Sequence, residues 1–193
     1  MTGIHRLDIG CGKARKDGFV GVDLHPGSDA DVLCDIGKGL PFRDGVFSEV
    51  HLSHVFEHVE DPVHLMEEIR RVSLPGALVT VRGPHFSSPH LAWGDPTHRR
   101  ALSMGSFLFF EGGWYGSDRR FAIRSIRLLR GETEWSSVRG KPWRYPFVPV
   151  NRALERIVNR SRSWVNRYER TLSGYIRFPE ILVVLEVVKG SPE

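Results

Sequence analysis

Cysteine is scarce: only Cys11 and Cys34 occur among 193 residues. A disulfide framework is therefore excluded, and a reduced, cytoplasmic setting is the simpler expectation. Long hydrophobic runs are missing too. The longest, Ile181 to Val188, is interrupted by Glu186 and falls far short of the roughly 20 residues that span a bilayer. No apolar stretch of the signal-peptide kind stands near the N-terminus. There is no internal repeat and no low-complexity tract. With 40% hydrophobic and 26% charged residues, the composition is globular and not that of a disordered chain. One domain spanning 1–193 is expected.

Charge is present but unevenly placed. The net charge is +4, yet residues 1–113 carry 11 basic and 15 acidic side chains, whereas 114–178 carry 15 basic and 5 acidic. The chain therefore divides into an acidic core at 1–113, a basic insertion at 114–178 and a terminal strand at 179–193.

Short apolar runs recur in the first part, each stopped by Gly, Pro or a charge. They predict strands at Ile4–Ile9, Phe19–Leu24, Ala30–Ile36, Val46–Ser53 and Ala77–Val81. Between the last two lies a helix. Asp61 suits its N-cap, Pro62 its first position, and Leu65, Met66, Ile69 and Val72 share one face. Glu67 and Arg71 form an i,i+4 pair on the other face, and Pro75-Gly76 supplies the stop. A strand, a helix and a strand in succession predict a parallel sheet. Residues 85–100 read as a loop, 103–111 as a short helix, and Phe121–Leu129 and Glu180–Val188 as two more strands. A helix is expected over 152–172, with Leu154, Ile157, Val158, Val165 and Tyr168 on its apolar stripe.

The chemistry-bearing segment is Leu7-Asp8-Ile9-Gly10-Cys11-Gly12. A strand running into Gly-x-Gly turns sharply and presents no Cβ to a ligand. Asp23 ends the second strand, where a carboxylate can accept both hydroxyls of a ribose, and Asp35 ends the third. All of them fall at the carboxyl edge, where open α/β sheets bind ligands.

This order of parts, from Ile4 to about Glu111, resembles the class I S-adenosylmethionine-dependent methyltransferases. Leu52-Ser53-His54-Val55-Phe56-Glu57-His58 is similar to that family's fourth-strand loop, and Arg71-Val72-Ser73-Leu74-Pro75-Gly76 to its approach to strand five. The stretches Pro84–Pro89 and Asp95–Arg99 resemble a subgroup of small microbial methyltransferases of unassigned substrate. The resemblance implies a Rossmann-like three-layer sandwich of α/β class, with a mostly parallel seven-stranded sheet whose last strand is antiparallel. It implies S-adenosylmethionine as cofactor. Asp8, Gly10, Cys11 and Gly12 would meet its methionine end, Asp23 with Leu24 its ribose, Asp35 with Ile36 its adenine, and Ser53 with His54 the pocket wall.

The sequence departs from that family early. Only about eight residues separate the first two strands and about six the next two, whereas a parallel crossover usually needs about a dozen or more. The first crossover helices must be reduced to turns, leaving one sheet face bare. Either the 154–172 helix or a second copy of the chain, as a homodimer, is expected to cover it.

Several motifs have plainer readings. Cys11 is a small packed residue, with nothing to mark it as a nucleophile. His54-Val55-Phe56-Glu57-His58 spells H-x-x-E-H, but that zinc chemistry needs both histidines on one continuous helix. Here they follow a strand, so His58 is expected to pack the turn. His85, His90 and His98 with Asp95 fit no short zinc spacing, and no metal is expected. Following strand five, His85 or His98 is the candidate general base. The arginines of 152–170, with Trp143, Tyr145, Phe147, Trp164 and Tyr168 between them, leave contact with nucleic acid open. The expected activity is methyl transfer to a small-molecule or glycan-type acceptor. Methylation of RNA and a non-catalytic, cofactor-binding partner role are the alternatives. A dinucleotide oxidoreductase is disfavoured because Arg15 replaces the third glycine of G-x-G-x-x-G.

Overall fold

Strand polarity organises the molecule. The computed structural model describes residues 5–112, 120–130 and 148–189. Its elements are β1 (His5–Ile9), β2 (Val20–Asp23), β3 (Val32–Leu33), β4 (Phe47–Ser53), α1 (Pro62–Val72), β5 (Ser73–Pro84), α2 (Pro89–Trp93), α3 (Met104–Glu111), β6 (Phe121–Leu129), α4 (Val148–Val158), α5 (Arg162–Thr171) and β7 (Glu180–Val187). They build one seven-stranded sheet in the order β3-β2-β1-β4-β5-β7-β6. Neighbours from β3 to β5 are parallel, and β7 runs antiparallel to both β5 and β6. This is the Rossmann-like sheet expected, with the last strand reversed. Ile4, Trp143, Tyr145 and Phe147 lie outside the described residues.

The central strands bury one face completely. Val50, Leu52, Val79, Val81, Ile181, Val183 and Leu185 have no exposed surface, and each buried side chain of this size contributes about 1.5–3 kcal/mol. Their neighbours in sequence form the other face, which is half-exposed. His51 pairs with Thr80 and Thr80 with Val184, while Leu78 remains 43% exposed. The covering helix expected over 152–172 is two helices, and they do not serve that role. α4 and α5 pack with α3 against β6, at the opposite edge of the sheet from β3. The break has a local cause. Asn159 leaves the helix to close the outer edge of β6, its Oδ1 accepting from Leu128 N (2.7 Å) and its Nδ2 donating to Leu128 O (2.8 Å). Ser161 then caps α5 by accepting from Trp164 N.

α1 begins as expected: Asp61 Oδ1 accepts from Val63 N and His64 N at 3.0 and 2.9 Å. Its end differs. The helix passes directly into β5 at Ser73, and Pro75-Gly76 does not stop it but sits in a bulge of that strand. Ser73 faces Phe47 and Leu78 faces Glu49, so five steps on β5 oppose two on β4. The expected Glu67–Arg71 pair also changes partners. Arg71 grips Glu68 with Nε and Nη2, both at 2.8 Å, and holds the carbonyls of Leu40 and Phe42. Glu67 pairs instead with Arg120.

β1 to β3 are connected without helices, and side chains take over the anchoring. Asp8 Oδ2 accepts from Lys16 N (2.9 Å), and Asp31 Oδ2 accepts from Gly21 N (2.8 Å). Phe19 from the first crossover is buried edge-on to His51, with Arg6 and Lys16 over its ring at 4.9 and 4.7 Å. Between β3 and β4 there is only a 3-10 turn, Ile36–Lys38. The third strand is shorter than the sequence predicts, so Asp35 caps this turn instead of ending a strand.

Candidate active site

The turn after β1 is shaped by two glycines with different demands. Gly10 has φ +65°, and a Cβ built on it would lie 2.3 Å from Val55 Cγ2. It is glycine because the loop after β4 packs directly on it. Gly12 has φ +55°, and among the described residues nothing lies within 4 Å of where its Cβ would be. The space in front of Gly12 is open to a ligand. Gly10 N and Cys11 N both donate to Val22 O, at 2.8 and 3.2 Å, which fixes this turn to the end of β2.

Asp23 stands beside that space. Its Oδ2 accepts from Gly12 N and its Oδ1 from His25 N, each at 2.8 Å. Each carboxylate oxygen retains a further acceptor site, so the pair can still take two hydroxyls. Leu24 follows, 69% exposed, as an apolar platform at the same strand tip. Cys11 is buried, and desolvation with Asp8 and Asp23 nearby pushes its thiol up to about 11. It is a protonated, inert side chain at neutral pH.

The remaining sequence candidates take other positions. Asp8 is buried and committed to Lys16 N and His51 Nδ1 (2.9 Å), so it pins the first crossover from beneath the loop. Asp35 Oδ1 accepts from Gly37 N, and its Oδ2 lies 3.4 Å from Lys38 Nζ. With Cys34, Leu40, Pro41 and Glu68 it borders an open hollow of about 310 Å³, which does not include Gly12 or Asp23. Ile36 is half-buried behind it. Ser53 and His54 end β4 as expected. His54 has φ +54°, a strained conformation for a residue with a side chain. Its Nε2 lies 3.0 Å from Glu180 Oε1, and Arg82 holds Glu180 Oε2 at 2.6 Å. Burial opposes charge on His54, but Glu180 and Glu57 outweigh it and raise its pKa to about 9.

The two candidate bases are not equivalent. His85 is fully buried, with Nδ1 at 2.8 Å from Ser87 Oγ and Nε2 at 3.1 Å from Glu169 Oε1. Both ring nitrogens are engaged by these partners. It ties the exit of β5 to α5. His98 is half-exposed, with Nδ1 at 2.9 Å from Ala92 O and its ring against His58 at 4.6 Å. Support of Gly10 by Val55 and of the second crossover by Asp31 leaves no mark in the sequence, because those contacts exist only after folding.

Residues 7–81 match the family model described as a methyltransferase domain. This segment is similar to methyltransferase domains. The methyltransferase match implies S-adenosylmethionine as methyl donor. Solved structures agree on the fold over nearly the whole chain. A chain from the Haloferax volcanii complex of the Trm112 methyltransferase activator with a methyltransferase is 18% identical, at a TM-score of 0.60, covering 97% of this chain and 84% of that one. A SAM-dependent methyltransferase from Archaeoglobus fulgidus is 20% identical, at a TM-score of 0.57, covering 96% and 87%. The [4+2]-cyclase SpnF is 17% identical, at a TM-score of 0.55, covering 97% and 76%. Its presence shows that this fold hosts more than one chemistry.

Proposed function

We propose that this methyltransferase acts on a small-molecule or glycan-type acceptor, and that Gly12, Asp23 and Leu24 hold the donor. The observation that carries the donor site is the open space before Gly12, next to a carboxylate kept in place by two backbone N–H groups. The backbone of Gly10–Gly12 can approach the methionine end closely, Asp23 can accept the ribose hydroxyls, and Leu24 can lie against the adenine. Ser53 and His54 would wall the pocket from the end of β4.

S-adenosylmethionine supplies an activated methyl group with a neutral leaving group. The chain therefore has mainly to align an acceptor with the sulfonium carbon, and alignment alone can supply effective molarities of about 10⁵ M or more. Space for the acceptor falls at the carboxyl ends of β4 and β5, where the loops carrying His58 and His98 meet. Acidic groups at this edge, Asp23, Asp35 and Asp95, argue for an acceptor that is not a polyanion.

RNA methylation is the second reading. It is favoured by one observation: Arg152, Arg156, Arg167 and Arg170 are exposed on α4 and α5, and Arg160 in the turn between them. Against it, Arg120, Arg124 and Arg162 are paired with Glu67, Glu186 and Glu111. A partner role alongside another subunit also remains a proposal, given the activator complex among the similar folds.

Calorimetry with S-adenosylhomocysteine, followed by an acceptor screen for methyl transfer, tests these readings. Binding with turnover on a small acceptor is expected. Binding without turnover on any acceptor supports the partner role, and RNA binding that falls steeply with salt supports the second reading.

A further inference from the structure

Three side chains outside the donor loop converge at the same edge of the sheet. Glu57 and His58 lie in the turn after β4, and His98 lies in the loop after α2. One potential ligand atom from each is within 4.8 Å of the others. Proximity alone would mean little, but three further features point to a ligand.

The first is Glu57. It is fully buried, and neither carboxylate oxygen accepts a hydrogen bond among the described residues. His54 Nδ1 is paired with Oε1 at 3.3 Å, so Oε2 is the oxygen left without any partner among the described residues. A buried carboxylate oxygen without a partner is costly, and a metal ion on Oε2 would remove that cost.

The second is the state of His98. Its Nδ1 is 2.9 Å from Ala92 O, and a carbonyl only accepts. Nδ1 therefore carries the proton, and in the neutral ring Nε2 keeps its lone pair. The third is the state of His58. Thr97 Oγ1 donates to Asp95 Oδ1 at 2.6 Å, so it receives its bond from His58 Nδ1 at 2.9 Å. Nε2 of His58 is again left with its lone pair. Metal-binding histidines are held in this way, by a carbonyl or a carboxylate-backed donor acceptor on the other nitrogen.

We propose that Glu57, His58 and His98 bind one divalent transition-metal ion of the zinc type, through a carboxylate oxygen and two Nε2 atoms. Two imidazoles and one carboxylate suit zinc or ferrous iron, whereas magnesium and calcium prefer all-oxygen sites. Three protein ligands leave a tetrahedral ion one position for water or an acceptor oxygen. The ion would also tie the turn after β4 to the loop after α2, two segments far apart in sequence. The H-x-x-E-H spelling is incidental, because His54 faces Glu180 and the third ligand comes from His98.

The test is a zinc titration of chelator-treated full-length protein by calorimetry, with cobalt(II) as a second probe for visible ligand-field bands. One ion per chain is expected. His58→Ala and His98→Ala should each weaken binding by about 100-fold or more, and Thr97→Val by about 10-fold to 100-fold, with circular dichroism unchanged for Thr97→Val. His64→Ala, an exposed histidine on α1, should bind like the unaltered chain. The proposal is overturned if the unaltered chain takes up no zinc at micromolar concentration, or if zinc binding survives both ligand substitutions. No nucleoside is present in the titration, so its failure would leave the donor-site reading untouched.

Discussion

The strands from β4 onward are long, helix-connected and packed on an apolar face in which most side chains have no exposed surface. β1 to β3 are short and joined by turns, and β3 is two residues long. Stability in the first region comes from area removed from water. Phe56, Phe107, Phe110 and Phe121 form one run of ring contacts, with centroids 5.6 to 6.4 Å apart. In the second region, single carboxylates hold the backbone: Asp8 on Lys16 N, Asp31 on Gly21 N and Asp23 on Gly12 N. The contrast teaches where the fold leaves room for function. The end built on side-chain anchors presents the open glycine turn and a half-buried carboxylate held by backbone N–H groups.

Substitutions can separate the two regions. Phe107→Ala should cost about 3–5 kcal/mol in urea unfolding, as a cavity in the packed end. Leu24→Ala, at an exposed strand tip, should change stability by no more than about 0.5 kcal/mol while weakening donor binding. Equal stability losses would erase the contrast.

Within the glycine turn, Gly10→Ala should cost about 2–5 kcal/mol, since the left-handed backbone and the clash with Val55 act together. Gly12→Ala meets only the first difficulty and should cost about 1–2 kcal/mol. Its larger effect should appear in calorimetry with S-adenosylhomocysteine, because the added methyl group enters the open space. A Gly12→Ala variant that binds normally would show that the space is not the donor site.

A smaller effect concerns the fork between Glu68 and Arg71, which joins α1 to the β3–β4 connection. The Arg71 hydrogen bonds hold Glu68 down at about 2, against 4.5 for a free glutamate. Its stabilisation is thus complete above pH 4.5 and fades as pH falls towards 2. Glu68→Gln should cost about 1.5–3 kcal/mol at neutral pH and flatten that part of the stability curve. Parallel curves for the two proteins in acid would remove the fork from the fold's anchors.

Much of this was legible in the sequence, for local reasons. Asp61-Pro62 announces α1, the Gly10-x-Gly12 turn follows directly from an apolar run, and the antiparallel β7 follows from the family resemblance. What was not legible depends on partners distant in the chain. Pro75-Gly76 looks like a helix stop until β4 shows it to be a strand bulge. The 152–172 stripe is continuous until Asn159 finds the edge of β6. His85 and His98 are alike in sequence, and only burial against Glu169 separates them. Glu57, His58 and His98 follow no ligand spacing because two loops deliver them.

Asp23 gives the most direct test of the donor site. Calorimetry with S-adenosylhomocysteine should detect binding to the unaltered chain and a loss of about 100-fold to 10⁴-fold in Asp23→Ala, the effect of two hydrogen bonds to a charged group. No heat with the unaltered chain at millimolar nucleoside, or equal affinity in the two proteins, would contradict the assignment of Gly12 and Asp23 as the donor's seat.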